Sequence, residues 1–332
     1  MKFDENLTQI EKNWLKKASK LNKTIVLPEG AYSKRIFEAG MYCAKNNIAK
    51  IVFLKRNDND FLGVDIENEK NVKVVDIRHS NLIPVVASAL HIKRQEKGLT
   101  LKEAYELVKD PIYFATMMVE LSLVDGSVCG AECSSKDTFK PAFQIIKGKD
   151  GSKVSSCFIM IPQNEKQPGP FVLSDCGINI NPDAQLLSEI GKQSANSYKQ
   201  FLGENPKVAF LSYSTKGSGV GEEVDKIKEV IKILDKETLD FCYDGELQLD
   251  SAVVPEVAKL KNPNGKIMGD ANVLVFPDLN SGNIGYKIMQ RFGNYKAIGP
   301  IVQGLNKPVN DVSRGATMDE IVLTIAITCL QN

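Results

Sequence analysis

The residue types that could do chemistry in this chain gather in one hydroxyl-rich turn and one arginine-bearing loop. In the stretch GAECSSKDTFKP, Ser134, Ser135 and Thr138 follow a strand pattern and precede a helical one. Hydroxyls and free amides converge at such a turn, and the dipole of the following helix favours an anion there. Lys140 adds a positive charge. The same residues are ordinary helix caps, so the turn reads equally as a well-capped helix start with Pro141 in its first turn. Nearer the C-terminus, Ser313 and Arg314 stand in a long polar loop before the last helix. Long connections in compact domains tend to be functional. Thr317 and Glu320 form a T-x-x-E capping box, which gives Glu320 a structural reading beside any acid–base one.

Other candidates are weaker. The two histidines, His79 and His91, rule out a His-rich metal site, and His91 lies in an apolar helical run that suits a packed or capped ring. Cys129 and Cys133 have a Cys-x3-Cys spacing with no second pair to complete a zinc set, so no metal is expected. KGSGVGEE places Gly217, Gly219 and Gly221 between a strand and a helix, but Glu222 occupies the last glycine position of a dinucleotide fingerprint. A plain strand-to-helix turn is the first reading there, and a nicotinamide nucleotide site the second.

β-branched runs alternate with helical patterns almost throughout the 332 residues, and these elements set where the turn and the loop can meet. Thr24–Leu27, Ile51–Leu54 and Val72–Ile77 read as buried parallel strands, and Gly126–Cys129 leads into the hydroxyl-rich turn. Helices are expected over 33–46, 83–96, 111–123, 184–202, 222–234 and 318–330. Phe3, Leu7, Ile10, Trp14, Ala18 and Leu21 recur at helical spacing and predict an amphipathic N-terminal helix. A composition shift near Gly148–Ser152 marks a boundary between two α/β lobes of doubly wound, mainly parallel sheets. Ligands of such sheets sit beyond the strand C-termini, so a cleft between the lobes is the expected site.

Lys plus Arg number 42 against 41 Asp plus Glu, a net charge of +1, which argues against nucleic acid as the main partner. The longest apolar runs, near Ile83–Ile92 and Ile321–Leu330, fall well short of the roughly 20 residues that span a membrane. The first residues carry Asp4, Glu5 and Glu11 without an apolar stretch, unlike a secretory signal. With an odd number of cysteines, 7, the expectation is a reduced, cytoplasmic protein.

TIVLPEG (24–30), LSYSTKGS (211–218), DGELQLD (244–250), FPDLNSGNIGYK (276–287) and NDVSRG (310–315) occur in order along the chain. Together they resemble the phosphate acetyltransferases of the phosphate acetyl/butyryl transferase family over nearly the whole length. The resemblance implies transfer of an acetyl group between acetyl phosphate and coenzyme A, the latter a co-substrate, with no permanently bound cofactor. It implies a fold like that of isocitrate and isopropylmalate dehydrogenases, with residues 1–150 and 296–332 as the first lobe. Residues 151–295 would be an inserted second lobe that carries the interface of a homodimer. By position, Ser313 and Arg314 match the family's Ser-Arg pair, Arg94 matches a substrate-binding arginine, and Lys140 falls where the family has a second arginine. Glu320 falls where the family has the aspartate that deprotonates the thiol, Asp319 is its neighbour, and Cys133 replaces a histidine. Ser134, Ser135 and Thr138 then join the substrate-binding set. A butyryltransferase with a larger acyl pocket, a dehydrogenase of the same fold and a catalytically impaired binding homologue are the alternative readings.

Overall fold

The computed structural model describes residues 7–60, 66, 69–203 and 205–331. Phe3 of the N-terminal pattern, with Asp4 and Glu5, lies outside them. In chain order the elements begin with α1 (Gln9–Leu21), β1 (Thr24–Leu27), α2 (Lys34–Lys45), β2 (Lys50–Lys55), β3 (Val72–Asp76) and α3 (Ile83–Arg94). They continue with α4 (Leu101–Leu107), α5 (Pro111–Glu120), β4 (Gly126–Cys129), α6 (Ser135–Ile145), β5 (Ser155–Pro162) and β6 (Phe171–Ser174). Next come α7 (Ala184–Leu202), β7 (Lys207–Leu211), α8 (Glu222–Leu234), β8 (Cys242–Leu247), α9 (Leu249–Val253) and α10 (Pro255–Lys261). The chain closes with β9 (Val273–Val275), α11 (Leu279–Arg291), β10 (Tyr295–Gln303), β11 (Val309–Asp311) and α12 (Met318–Leu330). Two compact units result, one from residues up to Gly151 and from Leu305 onward, the other from Ser152–Gly304.

The sheet of the first unit has, among the described residues, the order β11-β4-β1-β2-β3 with every pair parallel. β2 and β3 step to one side of β1 while β4 and β11 lie on the other, so the strand order reverses between β1 and β4. In such sheets the crevice beyond the strand ends at that reversal is where ligands bind. One face is packed by Val26, Val52, Leu54, Leu90, Phe114 and Met117. On the other face α2 and α12 pack, with the Phe37 and Phe53 rings 5.3 Å apart. α12 is buried almost end to end, and trimming one of its isoleucines to alanine would cost about 2–5 kcal/mol. α1 begins with a Thr8–Glu11 capping box and buries Trp14 and Ala18, as its spacing predicts, whereas Leu21 is exposed.

Three expectations are corrected here. Val72–Ile77 was expected as a strand buried on both faces; β3 is the sheet edge, and Lys73 and Val74 face water. Pro141 lies well inside α6 rather than in its first turn, because Ser134 caps the helix seven residues earlier. The stretch 296–303 was expected in the first lobe; β10 instead pairs antiparallel with β5 from Tyr295↔Pro162 to Gln303↔Ser155, so the chain re-enters the first unit only after Gly304.

The sheet of the second unit has, among the described residues, the order β10-β5-β6-β9-β7-β8. β5 runs antiparallel to both neighbours and the remaining pairs are parallel. Its core holds Phe158, Phe171, Leu173, Leu211 and Leu274, with Phe158 stacked on Tyr286 at 3.9 Å between ring centres.

Candidate active site

The turn that follows β4 is built around a carboxylate from the neighbouring strand. Glu29, two residues past β1 and fully buried, accepts hydrogen bonds from the amides of Gly130 (2.8 Å), Ala131 (2.9 Å) and Glu132 (3.0 Å). These are the amides expected to cradle an incoming anion. The anion they hold is the protein's own. Gly130 has φ of +109°, and a Cβ there would lie 1.9 Å from Asp311 Oδ1, so only glycine lets β4 and β11 end side by side.

Asp311, the last residue of β11, is 1% exposed and takes hydrogen bonds from Ser135 Oγ (2.6 Å) and Thr138 Oγ1 (3.0 Å). Burial pushes its pKa up to about 7, and the charge of Glu29 adds to the rise; the Ser135 and Thr138 hydroxyls and the Val312 amide oppose it. Thr138 is itself fully buried, so its assignment to substrate contact is corrected: its hydroxyl serves Asp311. Ser134 is the cap of α6, accepting from the Asp137 amide and donating to the Asp137 carboxylate at 2.6 Å. The capped-helix reading of this segment and the hydroxyl-rich one thus coexist, with Ser135 alone of the three exposed at the turn and tied to Asp311.

Beyond β11 the loop turns outward. Ser313, Arg314 and Gly315 are exposed, and Ser313 Oγ accepts from the Gly315 amide at 3.3 Å. Among the described residues the Arg314 guanidinium has no hydrogen-bond or ion-pair partner. Its backbone is held firmly. Arg35, on α2, donates to the carbonyls of Arg314 (2.8 Å), Ala316 (2.8 Å) and Ala131 (3.0 Å), so one fork stitches the loop to the turn after β4. Nothing in the spacing around Arg35 distinguishes it from a surface arginine of an amphipathic helix, and sequence reading passed over it. At the start of α12 the capping box forms as the T-x-x-E spacing predicts: the Thr317 amide donates to Glu320 Oε2 at 2.8 Å, and the Glu320 amide to Thr317 Oγ1 at 3.3 Å. Glu320 and Asp319 are both half-buried.

Arg94 and Lys140 come together in a pocket of about 300 Å³, lined also by Lys97, Glu103, Tyr113 and Gln144. Arg94 Nη1 reaches the Gln144 carbonyl at 3.4 Å, and Tyr113 Oη donates to the Gln144 side chain at 2.8 Å. Glu103 is held by Thr100 in a capping box of its own, at 2.8 Å to the Thr100 amide. Lys140 is exposed and, among the described residues, has no hydrogen-bond or ion-pair partner. The first unit therefore joins two of the three expected cations, Arg94 and Lys140; Arg314 is not among the walls of their pocket. α6 bridges the two places, its first turn fixed to Asp311 and its second carrying Lys140.

Several weaker candidates resolve plainly. His91 Nδ1 bonds the Leu99 carbonyl at 2.9 Å. The Gly217 amide donates to Glu246 at 2.7 Å and the Gly219 amide to Ser214 at 2.9 Å, while Glu222, Glu223 and Asp225 crowd the first turn of α8. Three acids at a helix start repel phosphate, so the nucleotide reading of KGSGVGEE is set aside. Among the described residues no group of three His, Cys, Asp or Glu could hold a metal ion.

A family model described as phosphate acetyl/butaryl transferase matches residues 9–329. A phosphate acetyltransferase of Thermoanaerobacterium thermosaccharolyticum is 45% identical over 323 residues, covering 96% of this chain and 97% of that protein. One of Acetivibrio thermocellus is 42% identical over 313 residues, covering 93% and 94% respectively. A solved phosphotransacetylase structure from Streptococcus pyogenes is 40% identical with a TM-score of 0.89, covering 98% of this chain and 99% of that one.

Proposed function

The chain belongs to the phosphate acetyl/butaryl transferase family, and from that premise we propose that it moves an acetyl group reversibly between coenzyme A and inorganic phosphate. The enzyme acts on acetyl-CoA and phosphate to give coenzyme A and acetyl phosphate. The observation that carries the reading of the site is the pairing of Arg94 and Lys140 in one pocket, on the unit that also presents Ser313 and Arg314. Phosphate leaving an acyl carbon gains negative charge, and cations fixed beforehand lower that barrier because they need not reorganise. Ser313 hydrogen-bonds the carbonyl oxygen, and Glu320 takes the thiol proton.

The deprotonation step needs help. A thiol near pKa 8.5 is only a few per cent ionised at pH 7, and an ordinary carboxylate is about four units too weak to change that alone. Arg314, exposed beside the site and without a protein partner among the described residues, stabilises the sulfur anion as it forms.

Transfer is direct, in a ternary complex. A covalent route would need an activated thiol, yet burial raises the pKa of Cys157 and Cys329 to about 12 and lifts Cys43 and Cys176 as well. Cys129 is raised by its hydrogen bond to Cys133 and by burial. A free thiolate is the reactive species, so these side chains make poor nucleophiles.

The active form is a homodimer joined through the second unit. Ile284, Ile288 and Phe292 recur at four-residue spacing on the outer face of α11 and are 58%, 53% and 87% exposed, an apolar stripe suited to a partner. The enzyme works in the cytoplasm with no bound cofactor: all seven cysteines are free, and no helix among the described residues is long and apolar enough to cross a membrane.

The test is release of thiol from acetyl-CoA on addition of phosphate, with acetyl phosphate trapped as its hydroxamate. Purified protein that releases no thiol above background at saturating substrates overturns the proposal.

A further inference from the structure

Asp311 is a buried acid to which the resemblance assigns no part. It stands two residues before Ser313, at the end of the edge strand β11 beside the turn that follows β4, and its surroundings are built to hold a carboxylate that accepts two hydrogen bonds at once. Ser135 donates to Oδ2 and Thr138 to Oδ1, while Gly130 leaves the space its Oδ1 occupies. Both donors sit on the first turn of α6, the helix that carries Lys140 into the cation pocket. We propose that Asp311 is a positioning residue for acetyl transfer: as a carboxylate it locks the Ser313–Arg314 loop to α6, and on protonation it lets that lock go. The inference rests on the acetyltransferase reading of the same site.

The physical reason lies in donor and acceptor count. An ionised carboxylate only accepts, whereas a protonated one must donate from one oxygen. With a proton on Asp311, the hydroxyl facing the protonated oxygen has to accept instead of donate, and a charge-assisted bond becomes a weaker neutral one. Thr138 is fully buried, with Cys129 Sγ at 3.6 Å and Cys133 Sγ at 3.4 Å as its other neighbours. Ser135 is exposed and can give its own proton to water, so its 2.6 Å contact is the one that reverses and loosens. The groups around Asp311 reinforce its sensitivity. Glu29 faces it from the end of β1, Cys129 and Cys133 from β4 and the turn after it, and Asp319 and Glu320 lie on the first turn of α12, which packs on β11. The nearby cation, Arg35, is committed to three carbonyls and to Glu132 at 3.5 Å. Burial and the Glu29 charge together place the titration of Asp311 near neutrality, at about 7.

The measurement is kcat at saturating substrates across neutral pH, for the unchanged enzyme, Asp311→Asn and Ser135→Ala. In the unchanged enzyme kcat rises with pH through about 7 as Asp311 ionises. Asp311→Asn loses that rise and falls in kcat by up to about 10²-fold with KM nearly unchanged, because one of its two positions becomes a donor and neither bond is charge-assisted. Ser135→Ala loses most of that rise, since the contact that protonation loosens is already gone, and the midpoint of what remains moves to higher pH because a bond that favoured the ionised form is missing. A kcat and pH profile of Asp311→Asn like those of the unchanged enzyme overturns the proposal, and so does a rise in Ser135→Ala of the same size and midpoint as in the unchanged enzyme. If Asp311→Asn does not fold, the Ser135→Ala pH profile decides.

An unchanged enzyme inactive at every pH refutes the acetyltransferase reading instead. Thermal unfolding against pH then tests Asp311 separately. Its folded pKa lies above the unfolded value, so its contribution to stability is full below about 3.9 and is lost as pH rises through about 7. In Ser135→Ala that loss extends to higher pH, and an unfolding profile identical to that of the unchanged protein overturns the proposal by this route as well.

Discussion

The rims of the two sheets solve the same local problem and leave opposite residues behind. In each unit a loop rich in glycine and hydroxyls leaves a parallel strand, and in each a buried carboxylate gathers its amides. In the first unit Glu29 takes the amides of Gly130, Ala131 and Glu132. In the second, Glu246 takes the Gly217 amide and the Ser214 hydroxyl, and Asp175 takes the amides of Gly177, Ile178 and Asn179 at 2.9–3.1 Å. The difference is in the cations. Lys216, in the second unit's loop, is paired with Asp244 and with the Gly245 carbonyl. The Arg314 guanidinium and the Lys140 ammonium, in the first, have no ionic or hydrogen-bonding partner among the described residues. A loop whose charge is neutralised from within has nothing left to offer a phosphate. A loop held only by its backbone keeps its charge for a ligand. The strings that identify the chain, LSYSTKGS and DGELQLD, are thus stapled to each other by Glu246 and Asp244, and their distinctiveness reflects architecture as much as chemistry.

The contrast breaks or holds first at Arg314. Arg314→Ala is expected to lower kcat at least about 10³-fold, as loss of a transition-state charge partner does, while stability stays within about 0.5 kcal/mol because the side chain is exposed and unpaired. Initial rates with acetyl-CoA and phosphate, beside a thermal melt, check both halves. A folded, active variant would put the chemistry elsewhere.

Glu320→Gln comes next. Glutamine still offers an oxygen to the Thr317 amide, so the cap of α12 persists while the base is removed. The expected fall in kcat is about 10²-fold or more, with an unchanged melt. If kcat survives, the capping box is the whole role of Glu320 and Asp319 becomes the base.

Lys216→Ala should do the reverse of Arg314→Ala. It strips a partner from Asp244, which is 4% exposed but keeps the Asn262 side chain at 3.1 Å and the Lys266 amide at 2.9 Å. With the lysine 38% exposed, the expected loss is about 1–2 kcal/mol of stability, read by urea unfolding, with kcat per folded molecule retained. A variant as stable as the parent but catalytically dead would erase the distinction between the rims.

Much of this arrangement was readable from local pattern. β-branched runs mark the strands, and the T-x-x-E of Thr317 and Glu320 marks the start of α12, because both signals act over a few residues. What escaped reading is what the sheet order brings together. Glu29 and Gly130 are 101 residues apart, Ser135 and Asp311 are 176 apart, and the meeting of each pair depends on β1, β4 and β11 lying side by side. The apolar run of β10 says strand but not which sheet, and only its antiparallel ladder with β5 assigns it to the second unit. Edge position is equally silent in a short run, as β3 shows with Lys73 and Val74 in water. Arg35 is invisible for the same reason: its three acceptors are backbone carbonyls that no side-chain pattern announces.

The smallest expected effect is the sharpest gauge of the cation pocket. Lys140 stands where the family resemblance implies an arginine, and an ammonium meets phosphate as a point charge whereas a guanidinium offers a two-pronged fork. The pocket of about 300 Å³ has room for the larger head, and its own acid, Glu103, is held on Thr100 rather than on Lys140. Lys140→Arg should therefore lower KM for phosphate about two- to fivefold with kcat little changed, a gain of under about 1 kcal/mol. Lys140→Met, which keeps the stem and removes the charge, should raise KM about tenfold. Steady-state KM for phosphate at saturating acetyl-CoA measures both. If neither substitution moves it, Arg94 and Lys140 do not hold the phosphate, and Arg314 becomes the one cation of the proposed site that can.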